Sequence, residues 1–221
     1  MTNPENSPPI DAQRRRVVLV APCFPDAEAA MSITIALARQ TGAEMHGVLV
    51  HDTVSRFAAG GTVSTVVSYS GGRATGVTLA QMQAAVRADA RRFREKLQFL
   101  AQEAAVPSVF QEADAELTKA LQATARSGDV IVVGFKPIVK RGDDIVVVLD
   151  PESAPPEFAV SLARQLNKRL VSVTLGANKD VLLAELDRMT PAAVILGQTQ
   201  ADLPSLGRIV DAARCPVIVP H

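Results

Sequence analysis

The sequence predicts an α/β protein built on a parallel, doubly wound sheet flanked by helices. Three observations carry this prediction. Short runs rich in Val and Ile recur along the chain without alternating with polar residues, as in strands buried on both faces. Segments of helical periodicity separate these runs, and strands alternating with helices give parallel sheets with right-handed crossovers. The later part of the chain also repeats the element order of the earlier part.

Residues 1–13 are polar and Pro-rich with no apolar stretch of the kind a signal peptide needs, so 1–14 is expected to be a disordered N-terminus. Arg14, Arg15 and Arg16 precede the first strand (17–21) and read as its solvated flank. A helix over 27–40 follows, with Asp26 placed to cap it and Gly42 to stop it. The second strand falls at 48–50. The longest helix is expected over 78–105, where Val86, Ala90, Phe93, Leu97, Leu100 and Ala104 line one face and Arg87, Arg91, Arg94, Glu95 and Lys96 the other. A helix over 114–125 leads into a strand at 130–133. Strands at 145–149, 171–175, 193–196 and 217–219 follow, interleaved with helices ending at Gln165, spanning 179–189, and covering about 206–213.

The repeat is visible in the residues. Val17-Val-Leu-Val and a helix ending Leu37-Ala-Arg-Gln40 are answered by Val146-Val-Val-Leu and a helix ending Leu162-Ala-Arg-Gln165. Asp129-Val-Ile-Val-Val-Gly134 is answered by Ala192-Ala-Val-Ile-Leu-Gly197. The copies are unequal. The first, 15–143, holds the long helix but no counterpart of the last helix and strand; the second, 144–221, has the reverse. Each is incomplete alone, so the two are expected to share one core as a pseudo-dimer.

Lys and Arg together number 23, as do Asp and Glu, so no net charge draws the chain to nucleic acid or to an anionic membrane. Aromatic residues make up 4% of the chain, too few for base-stacking platforms. No apolar run has the length of a membrane span, so no membrane insertion is expected. Cys23 and Cys215, with no CxxC, suit a reducing compartment and a cytoplasmic location.

Three features resemble the universal stress protein family. Val147-Val-Leu-Asp150-Pro-Glu-Ser153 is similar to the family's first strand ending in Asp-Gly-Ser, and Ala213-Arg-Cys215-Pro216-Val217 to its closing Cys-Pro-Val. Val130-Ile-Val-Val-Gly134 looks like the strand that carries the first phosphate-loop glycine. The resemblance spans roughly 15–220 and implies a Rossmann-like fold of the adenine nucleotide alpha hydrolase-like type. It also implies a stress-related regulatory role. ATP-binding members carry G-x2-G-x9-G-[ST] after the fourth strand, where backbone N–H groups close on phosphates. Here Pro137 follows Gly134 at the second glycine position and Gln200 follows Gly197, while Gly142 falls where no family glycine is expected. The closing G-[ST] would fall at Leu203-Pro204. The resemblance assigns Asp150 to the adenine base, and the first copy has Ala21-Pro22-Cys23 in that place.

The first functional expectation is therefore a non-enzymatic regulatory protein with degenerate phosphate loops, acting through a ligand or an unidentified protein partner. The alternative is an ATP or AMP binder with an unconventional cradle. There Asp150, Gly134 and Gly197 join Gly71, Gly72 and Arg73 of the Gly/Ser/Thr-rich segment 60–76. That segment also reads as a flexible connection, a small hairpin or an arm onto a partner. A third reading makes Cys23 a nucleophile near His51, against a plain buried thiol. His46 and His51 lack metal spacing, and Asp143-Asp144 reads as a polar turn or a cation site. Lys136, Lys140 and Arg141 read as a solvated link or a phosphate contact, and an uncovered strand edge leaves a homodimer open.

Overall fold

The structure, a computed structural model, describes residues 15–51, 64–66, 75–77, 79–137, 142–174, 179–197 and 203–221. Among these residues there are ten strands: β1 (Arg16–Ala21), β2 (Glu44–Val50), β3 (Ser64–Val66), β4 (Thr75–Val77), β5 (Ser108–Ala113), β6 (Val130–Val133), β7 (Asp144–Leu149), β8 (Arg169–Thr174), β9 (Ala193–Leu196) and β10 (Val217–Pro220). The helices are α1 (Phe24–Thr41), α2 (Leu79–Glu103), α3 (Leu117–Thr124), α4 (Glu157–Gln165), α5 (Lys179–Met189) and α6 (Leu203–Ala213).

Eight strands form one sheet in the order β5-β2-β1-β6-β10-β9-β7-β8. Every pairing is parallel except β6 with β10, which run antiparallel with Val133 opposite Val217. The sheet is therefore two parallel four-stranded blocks joined head to tail. Their carboxyl edges face opposite ways. The expected parallel, helix-flanked sheet is present in each block, and the seam between the blocks is antiparallel.

Successive side chains of a strand point to opposite faces, so each strand feeds two cores. Val17, Leu19 and Ala21 pack beneath α1, α2 and α4 with Met31, Leu37, Phe93 and Leu162. Val18 and Val20 pack on the opposite face with Leu121, Leu186, Leu206 and Val210 from α3, α5 and α6. The periodic face expected of α2 is the buried one, with Phe93 and Leu97 fully enclosed. Leu97 and Phe93 come so close to β2 that a Cβ on Gly47 would lie 2.8 Å from the Leu97 side chain.

The two blocks repeat their hydrogen bonds atom for atom. Glu44 N–H donates to the Arg15 carbonyl at 3.0 Å, and Arg169 N–H to the Asp143 carbonyl at 3.0 Å. Gly134 N–H donates to Val20, and Gly197 N–H to Val148. Both α1 and α4 end with a left-handed residue, Gly42 (φ 63°) and Asn167 (φ 51°). In each, the next N–H closes on the equivalent alanine carbonyl, Ala38 or Ala163.

β5 escapes the sequence reading. Its Ser-Val-Phe-Gln-Glu-Ala mixes polar and apolar residues because it is an edge strand with half-exposed faces. β3 and β4 pair antiparallel, Thr65 opposite Gly76, which is the small hairpin the 60–76 segment allowed. Residues 1–14 lie outside the described residues.

Candidate functional site

Ligands of open α/β sheets gather at the carboxyl ends of the strands. Here there are two such ends, on opposite sides of the molecule. The first collects Cys23, Asp26, His51 and Gly134; the second collects Asp150 and Gly197.

At the first edge, β1 ends at Ala21 and the chain turns into α1 with Cys23 as the N-terminal cap residue. Asp26, expected to be the cap, sits instead in the first helical turn. Its carboxylate accepts the Cys23 thiol hydrogen at 3.0 Å and the backbone N–H of Lys136 at 2.6 Å. Asp89, reaching in from α2, accepts the Phe24 N–H at 3.2 Å. The positive end of α1, a ready anion site, is thus filled by the protein's own carboxylates. Burial, and then the hydrogen bond to Asp26, push the Cys23 thiol up to about 11. A thiol held protonated in this way is a poor nucleophile at neutral pH.

Gly134 is a packing glycine. A Cβ there would lie 2.6 Å from the Asp26 carbonyl oxygen and 3.2 Å from the Ala21 Cβ. Its N–H continues the sheet ladder to Val20, leaving no free donor for a phosphate. The N–H of Gly197 is engaged with Val148 in the same way. Pro137 adds no donor. The described residues therefore form no phosphate cradle at either glycine.

Asp150 follows β7 at the second edge, half-buried, with the Ser153 N–H on its carbonyl. It stands across the sheet from the end of β2, where the segment leading to 60–76 leaves. Gly71, Gly72 and Arg73 lie outside the described residues, as do Lys140, Arg141 and Gln200. Leu203 and Pro204 begin α6.

His51, just past the end of β2, lies 3.6 Å from Asp114 and 3.8 Å from Glu112, whereas the partner of Cys23 is Asp26. Its Nδ1 is buried without a hydrogen bond, as is Nε2 of His46, 3.3 Å from Glu44. Among the described residues no group of His, Cys, Asp and Glu could hold a metal ion. The pair Asp143-Asp144 is engaged in ion pairs with Lys168 and Arg169. The bidentate Arg169 bond holds the Asp144 carboxyl below the usual carboxylate range. Arg16, expected on a solvated flank, is instead buried against Asp129 and the Thr124 carbonyl. Among the described residues no helix is long and apolar enough to cross a membrane.

Sequence reasoning missed the dual role of Asp26 and the part played by Asp89. The signal for Asp89 was present. It interrupts the apolar stripe of α2 three residues after Val86 and four before Phe93.

No family model matches the chain, and no curated protein does. Among solved structures, the chain is similar to a protein from the universal stress protein family from Burkholderia pseudomallei. Identity is 14%, coverage is 92% of this chain and 93% of that one, and the TM-score is 0.36. It is also similar to a universal stress protein from Archaeoglobus fulgidus. There identity is 8%, coverage 92% and 95%, and the TM-score 0.40.

Proposed function

We propose that this chain is a non-catalytic regulatory protein of universal-stress-protein type, made of two unequal copies of one unit and acting through a protein partner. The coincident hydrogen bonds of the two blocks support the duplication. The Asp26 carboxylate carries the functional reading. It sits at the start of α1, accepts the Lys136 N–H, and places a negative charge where a phosphate would have to lie. The protonated Cys23 speaks for a structural thiol. Both cysteines are free, which fits the reducing cytoplasm.

Thermal unfolding with and without Mg-ATP, and then AMP, tests this. The midpoint is expected to stay unmoved. A nucleotide at about 100 times its dissociation constant would add about 2.7 kcal/mol. At this length that is a rise of roughly 5–10 °C. Such a rise, lost in Asp150→Ala, would replace this proposal with an adenine-nucleotide site at the second edge.

A further inference from the structure

β8 is the outermost strand of the sheet formed by the described residues. Among the described residues it pairs with β7 alone, whereas β2, its counterpart in the first block, lies between β1 and β5. The hydrogen bonds of β2 show which backbone groups this leaves facing outward. Glu44 N–H turns inward to Arg15, and Met45 N–H turns outward to Pro107, at the start of β5. Arg169 N–H turns inward to Asp143 in the same way. Alternate residues of a strand address opposite neighbours, so Leu170, Ser172 and Thr174 direct their N–H and C=O groups at the open edge.

The two edges of the sheet differ in their guards. β5 follows Pro107 and carries Gln111 and Glu112, the latter ion-paired with Arg94. β8 carries no proline, and its single charge, Arg169, is neutralised by Asp144 at 2.7 Å. Charged or proline-bearing edges resist pairing; β8 has no proline, and its one charge stands at its first residue, away from the middle of the strand.

We propose that the β8 edge binds a second copy of this chain, its β8 running antiparallel about a two-fold axis through Ser172. Such an axis, perpendicular to the sheet, keeps each face on its own side. Val171 then meets Val173 of the second copy on the face covered by α5 and α6. Leu170 meets Thr174 of the second copy on the other face, and Ser172 meets itself. The outward groups of Leu170, Ser172 and Thr174 are the ones this register pairs. No charged residue of β8 faces a like charge in it. The strand is self-complementary, as an isologous contact requires, and the contact needs no nucleotide.

Sedimentation of the full chain is expected to show a reversible dimer. Ser172→Cys places two thiols about 5.5 Å apart between α-carbons, within reach of a disulfide. Mild oxidation is expected to yield a covalent dimer on a non-reducing gel. Ser172→Lys sets two ammonium groups against each other and is expected to weaken the dimer about two- to fivefold. Because Ser172 is exposed in the single chain, the unfolding of the dilute variants should match that of the parent. A chain that stays monomeric to about 100 μM overturns the proposal. So does a dimer that Ser172→Lys leaves unweakened, or one that Ser172→Cys fails to cross-link.

Discussion

Gly134 and Asp26 meet backbone to backbone, and that contact explains why position 134 carries no side chain. The obstructing atoms are the carbonyl carbon and oxygen of Asp26, 2.9 and 2.6 Å from a Cβ, and a backbone cannot rotate away as a side chain can. Gly134→Ala is expected to cost about 2–3 kcal/mol, measured by urea denaturation, whether or not any ligand binds. A glycine kept only for phosphate contact would tolerate the change. In the sequence, Gly134 was legible as a special position but not as this one. The atoms that exclude a side chain lie 108 residues away, the separation of 134 and 26. The same holds for Arg16, whose partner Asp129 is 113 residues distant. A charge beside a strand looks solvated until the fold supplies its counter-charge.

Helix α1 draws support for its first turn from another helix. Cys23 makes no side-chain cap, so the open Phe24 N–H is taken by Asp89 of α2. Capping side chains contribute roughly 1 kcal/mol, typically from the helix's own cap residue. Asp89→Ala is expected to destabilise by about that amount in chemical denaturation with an unchanged m-value. An Asp89→Ala variant as stable as the parent would mean water satisfies Phe24 equally well. Helices and central strands were largely legible because periodicity and continuous β-branched runs depend on burial, which the pattern encodes directly. β5 was not, since only Phe110 and Ala113 of its residues pack against the cores and Gln111 and Glu112 are exposed. Nor was the direction of β10: Val-Ile-Val reads alike whichever way it runs.

For the molecule as a whole, the seam between β6 and β10 decides how the two blocks live together. Helices from both blocks also pack on each other, α1 with α4 on one face and α3 with α6 on the other. Neither block closes its sheet without the other, so calorimetry is expected to show one transition with equal calorimetric and van't Hoff enthalpies. Two resolved transitions would mean the blocks melt independently. The position of β10 also bears on synthesis. It comes last in sequence among the ten strands of the described residues, yet it takes the fifth place in an eight-stranded row. Until it emerges from the ribosome, β6 and β9 each present a bare apolar margin. The nascent chain must therefore hold an unclosed sheet until residues 217–220 are free to pair, and such margins are then most open to misassociation.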